Sequence, residues 1–423
     1  MAVNFWRFRP LQTTAMRFPN PLRLALLLAL VLAAALARAG NDYPLVLVHG
    51  FMGWGRDELL GFKYWGGFGD VQETLNRAGH RTHTGVVGPF ASNWDRACEL
   101  YAYLKGGTVD YGQAHAVAHG HARHGRTFPG LYPEWGTVDE HGQVRKIHLI
   151  GHSQGGQTVR VLTALLEQGA PAEIAVTPAE RSPLFAGGHG WVHSVTTLAA
   201  PHDGTSIAVG IDRLLPFVRD SLLGFAALAG VQPDQLPYDF KLEQWGLRRA
   251  PGETLADYVR RVERSPIWRS RDISAWDLNP DGARELNRQF PAQPKVYYFS
   301  WGAAATVPIW PFDHQVPLPT LLPQLWASAV FIGAYTRAEP GHVVIDASWW
   351  ENDGLVNTRS MAGPTLDSPD RIVADDGPPR RGVWHHRGTL AGWDHMDLVG
   401  IGTLRAVGDW YLRLARSLAD LPP

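Results

Sequence analysis

Two patterns of apolar and polar positions run along this chain. Short, nearly unbroken apolar runs predict buried strands of a parallel sheet at 42–50, 146–150, 192–199 and 295–300, with a weaker one at 80–87. Stretches with apolar residues every three or four positions predict helices. These are 157–166, 403–418 and 212–229, the last with Leu214, Leu215, Phe217, Val218, Leu222, Phe225 and Leu228 on one stripe. Pro216 lies in the first turn of that stripe, where proline is tolerated. Asn93 is a plausible N-cap for a helix after 93, and the charged, Trp-bearing stretch 238–268 is predicted helical with a break at Ser265-Pro266. Residues 106–130 fit neither pattern and read as an excursion from the core. Residues 137–145 read as a polar hairpin or loop, 302–330 as an irregular loop, 350–357 as a turn and 393–397 as a loop. Strands alternating with helices predict an α/β fold with a mostly parallel central sheet flanked by helices.

One junction carries candidate chemistry. The apolar run Ile147-His-Leu-Ile150 meets Gly151-His152-Ser153-Gln154-Gly155, and a helix pattern follows. A serine two residues from glycine on either side, at a strand-to-helix turn, is the layout of a nucleophile elbow. The small neighbours let strand and helix pass closely, and the helix N-terminus favours developing negative charge.

Composition narrows the setting. The chain has 423 residues, room for a sizeable core, and a net charge of −1, which gives no long-range attraction to nucleic acid or acidic membranes. Cys98 is the only cysteine, so an exported form would rely on packing or metal rather than a disulfide. Export is what the N-terminus predicts. Arg7, Arg9, Arg17 and Arg23 precede an apolar run at 24–37, and Ala37-Arg38-Ala39 supplies small residues for cleavage. Residues 1–39 thus read as a signal peptide and 40–423 as one catalytic domain, with Met16 an alternative start.

A serine needs a base and an acid that orients it. With the order serine, acid, histidine, the candidate acids are Asp203, Asp346, Asp353 and Asp394. Asp353, in Asn352-Asp353-Gly354, is favoured because a turn there exposes it at a strand end. His395, late in the chain, fits the base. His202-Asp203 comes too early for this order, and Asp203 reads as a loop cap. The His-Gly-aromatic turn at 49–51 offers the Phe51 N–H as one oxyanion donor, and the Gln154 N–H, directly after the serine, offers the second.

From residue 44 to 402 the chain resembles the large secreted bacterial lipases of the thermostable and staphylococcal group, which have the α/β-hydrolase fold. The likeness rests on His-Gly-Phe-Met-Gly-Trp-Gly-Arg (49–56), Gly-Phe-Lys-Tyr-Trp-Gly-Gly (61–67), Ser-Asn-Trp-Asp-Arg-Ala-Cys-Glu (92–99) and Gly-Gly-Thr-Val-Asp-Tyr-Gly (106–112). It continues through His-Ser-Gln-Gly-Gly-Gln-Thr (152–158), Pro-His-Asp-Gly-Thr (201–205), Tyr-Asp-Phe-Lys-Leu (238–242), Gln-Trp-Gly-Leu-Arg-Arg (244–249) and Asn-Asp-Gly-Leu-Val-Asn-Thr (352–358). The resemblance implies Ser153 as nucleophile, Asp353 as orienting acid, His395 as base, and Phe51 and Gln154 as oxyanion donors. It also implies a lid at about 212–232.

His115 and His121 in a Gly-rich excursion are, on their own, a weak metal signal. The resemblance adds Asp95 and Asp272 and implies a structural zinc held by Asp95, His115, His121 and Asp272, within an excursion spanning 92–130 and 238–272. His119 and His124 are not expected to be ligands. A family calcium near the base would use the Gly333 carbonyl and Asp397. Its second carboxylate and its proline fall here on Gly402 and Thr403, so a hard cation loses an anionic ligand. The thermostable relatives tend to carry alanine where this chain has Gly151, and either residue is small enough for the expected turn.

These readings converge on a secreted triacylglycerol lipase or carboxylesterase acting at a lipid–water interface. The alternatives are a non-catalytic lipid-binding protein on the same fold, or a hydrolase of amide or polyester substrates.

Overall fold

The computed structural model describes residues 40–177, 179–209, 238–403 and 405–423. The proposed signal peptide and the proposed lid lie outside the described residues. Residues Asp42–Leu418 form one compact unit. Its strands are β1 (Leu45–Val48), β2 (Thr82–Gly85), β3 (Gly107–Asp110), β4 (His124–Phe128), β5 (Ile147–His152), β6 (Val192–Leu198), β7 (Tyr297–Ala304), β8 (Thr306–Pro308), β9 (Gln315–Pro317), β10 (Ile372–Ala374) and β11 (Trp384–Ala391).

Seven of these strands make one sheet in the order β10-β11-β7-β6-β5-β1-β2, every neighbouring pair parallel. All four residues of β1 and all six of β5 are buried, as expected for strands covered on both faces. With every strand pointing the same way, the loops after β1, β5, β7 and β11 leave from one edge. Strand order also reverses at β1, flanked by β2 on one side and β5 on the other. A crevice at such a switch point is where open α/β sheets bind ligands.

The helix Gln154–Gln168 starts directly from the end of β5 and is buried through Leu166. Val159, Val161, Leu162, Leu165 and Leu166 pack into the main core with Ala97, Leu100 and Leu104 of the helix Asn93–Lys105. Each of these Val and Leu side chains stabilises the fold by roughly 2 kcal/mol, so the helix that carries the elbow is anchored along its length. Close passage is enforced at its start: a Cβ on Gly155 would sit 2.2 Å from the Val48 carbonyl oxygen of β1.

Several sequence expectations are corrected. Ser92, not Asn93, caps the helix Asn93–Lys105, because its side chain accepts from the Asp95 N–H while Asn93 is already helical. The excursion 106–130 contains an antiparallel hairpin, β3–β4, with the helix Gln113–His119 between its strands. Its strands are short and two-sidedly polar, which hides the period-2 signal. Only Leu255–Glu263 of the stretch 238–268 is α-helical, with Ser265 capping a short turn after it. Residues 302–330 hold the end of β7, the hairpin β8–β9 and most of the helix Trp326–Ile332. The pattern also missed β10 and β11, and the last helix is Val407–Ala419.

Candidate active site and metal centre

Ser153 has φ 56° and ψ −131°, a conformation that L side chains rarely adopt, between β5 and the helix Gln154–Gln168. The Ser153 amide donates to the Leu198 carbonyl of β6 at 2.9 Å, which pins the turn to the neighbouring strand. The elbow is tight enough to demand glycine at 151. A Cβ there would lie 2.3 Å from the Gly155 carbonyl oxygen, so alanine does not fit this backbone as it stands. Length and polarity alone could not show that.

Asp353 and His395 meet. Asp353 Oδ2 lies 2.6 Å from His395 Nδ1, and the His395 amide donates to the Asp353 carbonyl at 2.9 Å. The other carboxylate oxygen of Asp353 accepts from the Leu355 and Val356 amides at 3.0 and 2.8 Å. Both residues are buried. The carboxylate is therefore held from two sides and fixes the imidazole with Nδ1 towards the acid and Nε2 away from it. The His395 ring lies tilted against that of His152, the residue before Ser153, with centroids 4.5 Å apart.

The turn after β1 lies against the same elbow, since a Cβ on Gly50 would come within 2.6 Å of Ser153 Cβ. The N–H groups of Phe51 and Gln154 have no acceptor among the described residues. The Gln154 side chain is committed elsewhere, its Nε2 donating to the Ala91 carbonyl at 3.1 Å. That arrangement suits an oxyanion site built from backbone donors.

Sequence reading missed the residues that hold this turn. Arg96 is fully buried. Its guanidinium donates to the carbonyls of His49 (2.5 Å) and Gly88 (2.8 Å), and its Nε donates to Thr158 Oγ1 (2.8 Å). Burial lowers its pKa to about 10, so it stays charged. Tyr64 Oη accepts from the Gly50 amide at 2.9 Å and lies 2.7 Å from His152 Nδ1. His152 Nε2 is 3.0 Å from the His395 carbonyl. Burial, then the proximity of His395, holds the His152 pKa well below its ordinary value. The ring is neutral, accepting from Tyr64 and donating to His395. A helix-face arginine gives no sequence signal of reaching a loop some fifty positions earlier.

Asp203 is more than a loop cap. It is buried and accepts from the Thr365 and Leu366 amides (2.8 and 3.0 Å) and from Asn287 Nδ2 (2.9 Å). Asp394 takes the Leu322, Met396 and Asp397 amides. Asp346 is exposed and caps a short turn.

The structure brings Asp95, His115, His121 and Asp272 together, their ligand atoms all within 4.8 Å of one another. His115 Nε2 is 3.4 Å from Asp95 Oδ1 and 3.1 Å from Asp272 Oδ1. His121 Nε2 is 3.9 Å from Asp95 Oδ1 and 3.1 Å from Asp272 Oδ2. A tetrahedral ion with bonds of about 2.0–2.1 Å has neighbouring ligand atoms about 3.3–3.4 Å apart. Asp95 Oδ1, His115 Nε2, His121 Nε2 and Asp272 Oδ2 are buried with no hydrogen-bond partner, so the donor set fits a cation. Outer contacts fix it: Gln244 Nε2 donates to Asp95 Oδ2 at 2.8 Å, and the His121 Nδ1 atom faces the Ala122 carbonyl at 2.9 Å. Burial and then the Asp272 charge push the Asp95 carboxyl up, while against burial the two imidazoles hold Asp272 down. A site that attracts protons this way attracts a divalent cation by the same field. The His119 ring lies tilted against that of His115, His124 is exposed at the start of β4, and neither joins the group.

The groups a calcium would use at Gly333 and Asp397 already have partners. The Gly333 carbonyl accepts from the Gln315 amide at 2.9 Å. Asp397 Oδ2 accepts from the Asp394 amide at 3.0 Å and faces Arg405 Nε at 3.3 Å. Arg405 also donates to the Gly392 carbonyl at 2.7 Å and lies over the Trp393 ring. A carboxylate already paired with a guanidinium, with no second acid at Gly402, does not fit a hard cation wanting six to eight oxygens.

Comparison with known proteins places this geometry in company. Residues 41–410 match the family model described as "Lipase-like, C-terminal domain". Lipase 2 of Staphylococcus aureus is 38% identical over 371 residues, 86% of this chain and 51% of that protein. The chain spans about half the length of the curated relatives it matches. Among solved structures, lipase 1 from Pelosinus fermentans is 52% identical with a TM-score of 0.85, covering 90% of this chain and 99% of that one. EstA from Clostridium botulinum is 46% identical with a TM-score of 0.86, covering 90% and 88%. Staphylococcus hyicus lipase is 34% identical with a TM-score of 0.74, covering 90% and 96%.

Proposed function

We propose, of a chain that belongs to the lipase-like, C-terminal domain family, that it is a serine ester hydrolase acting on acylglycerols, with Ser153 as nucleophile, His395 as base and Asp353 as orienting acid. The observation that carries this reading is the 2.6 Å contact between Asp353 and His395, beside a serine held at positive φ above a helix N-terminus. Ser153 Oγ attacks the ester carbonyl carbon while His395 Nε2 takes its proton. The carbonyl oxygen gathers negative charge against the Phe51 and Gln154 N–H groups. His395 then returns the proton to the departing alcohol, and water, activated by the same imidazole, releases the fatty acid. Asp353 stabilises the imidazolium in both halves. A fluorophosphonate probe tests this: covalent labelling that disappears in Ser153→Ala is expected, and a folded wild type that does not label overturns the reading.

The ion at Asp95, His115, His121 and Asp272 is proposed to be zinc. Two imidazoles and two carboxylates complete a four-coordinate shell without water, the composition of a structural rather than a hydrolytic site. It would tie the helix Asn93–Lys105 to the β3–β4 excursion and to the loop before Ser274. Elemental analysis of the purified protein checks the metal. Cleavage at Ala39, export, and a single catalytic domain from residue 40 remain part of the proposal. N-terminal sequencing of protein from culture fluid tests cleavage and export.

A further inference from the structure

The end of β7 runs into a hairpin whose tip is exposed and aromatic. Trp310 is 89% exposed and Phe312 70%, with Val307 and Ile309 also out in solvent. The tip is a built turn, with the Ile309 amide donating to the His314 carbonyl at 2.8 Å and the Phe312 amide to the Ile309 carbonyl at 3.0 Å. Beside it stands the helix Trp326–Ile332, held through the Gln315 amide on the Gly333 carbonyl, and it turns Trp326 and Val330 to solvent. Four large apolar side chains exposed on one short hairpin, with two more on the adjoining helix, exceed the scattered exposure ordinary on a soluble surface.

Where this patch sits matters. It follows the C-terminal end of β7, the edge from which the Ser153 and His395 loops also leave. It is wired to the acid's turn: Ser328 Oγ donates to the Gly354 carbonyl at 2.6 Å and Asn352 Nδ2 to the Ala329 carbonyl at 3.1 Å. Charge selects the occupant. From Gly302 to Thr336 the only formally charged residue is Asp313, with no lysine or arginine at all. Surfaces that dock on anionic lipid use clustered basic residues. An apolar tip without them suits an uncharged lipid surface, into which Phe inserts fully and Trp inserts with its indole N–H at the boundary.

We infer that the β8–β9 tip, with Trp310 and Phe312 at its apex, is an anchor that seats the protein on the uncharged surface of aggregated ester lipid. This rests on the proposed ester-hydrolase reading but does not depend on catalysis for its test. The experiment is flotation of full-length Ser153→Ala protein with triolein droplets, with and without Trp310→Ser and Phe312→Ser together. Expected is at least a tenfold loss of droplet partitioning in the tip variant, restored by Trp310→Phe with Phe312 intact, and weaker binding of the parent to phosphatidylglycerol vesicles than to droplets. In the Ser153 background, the tip variant should hydrolyse a monomeric, water-soluble ester within twofold of wild type, with an unchanged melting temperature. Unaltered flotation of the tip variant overturns the inference, as does a preference for anionic vesicles. So does a light-scattering dimer that the two substitutions dissolve, since the patch then belongs to a second copy. A wild type that hydrolyses neither ester sinks the enzymatic reading instead, and flotation still decides the anchor.

Discussion

The guanidinium of Arg96 donates to the carbonyl oxygen of His49 at 2.5 Å, and so a helix of the core grips the turn that presents Phe51. The same group reaches Gly88 and Thr158, a planar fork satisfied on several sides in a buried place. Lysine cannot reproduce that fork. Arg96→Lys is expected to cost about 3 kcal/mol of stability, as when one member of a buried polar network is removed. It should also lower kcat on a soluble ester more than it raises KM, because the turn's N–H is proposed to serve the transition state. Urea unfolding and steady-state kinetics read the two effects separately, and an unchanged kcat would remove Arg96 from the positioning of that turn.

Asp353→Asn keeps an oxygen for the Leu355 and Val356 amides but offers no charge to the imidazole. A drop in kcat of about 10⁴-fold is expected, with a melting temperature within a few degrees. Residual activity within tenfold of wild type would mean that another acid orients His395.

Glu99 gives a pH signature. It is fully buried, accepts from the Gly88 amide and, at 2.9 Å, from the Tyr111 hydroxyl. Burial pushes its pKa up to about 7 from 4.5. The folded state then binds its proton more tightly than the unfolded chain, so stability is greatest below the unfolded pKa and falls as pH rises through the folded one. The loss between about pH 4.5 and 7 is on the order of 3 kcal/mol. Glu99→Gln should flatten that part of the curve, measured as unfolding free energy against pH, and identical slopes in the two proteins would rule Glu99 out.

Gly151→Ala should destabilise by about 2 kcal/mol, an overpacking cost, because the added Cβ must displace the Gly155 backbone under the elbow. Thermal melts decide it. A variant as stable as wild type would show that the elbow yields more readily than its contacts suggest.

Removal of the proposed zinc should lower the melting temperature and the activity together. Asp272 lies two residues before Ser274, which holds on to Ala91 and the Gln154 side chain. Ser274 Oγ is within hydrogen-bond distance of the Ala91 carbonyl and of Gln154 Oε1, at 2.8 and 3.0 Å. Dialysis against a chelator, followed by zinc, should lower and then restore both readouts. Full activity in metal-free protein would leave the cluster with no part in shaping the site.

What the sequence made legible was what local pattern encodes. The apolar runs of β1, β5 and β6, and the glycine-flanked Ser153, announce themselves because burial on both faces and a tight turn leave a mark on consecutive residues. Asp353 and His395 were named through chain order and resemblance, and the structure brings them into contact. β3, β4, β8 and β9 were illegible, since strands of three to five residues with mixed exposure carry too few positions for a period. Arg96 and Tyr64 were missed for a different reason. Their roles are contacts with carbonyls and amides far along the chain, and a backbone acceptor has no letter in a sequence.

Arg405 leaves one consequence for where the protein can work. A loop steadied by a dissolved ion is only as firm as the supply of that ion in its surroundings. Here the positive charge facing Asp397 is covalently part of the chain and is shared with the Gly392 carbonyl and the Trp393 ring. It cannot be diluted away, so the segment carrying His395 keeps the same brace in soft water as in hard, and hydrolysis rates with and without added calcium should coincide.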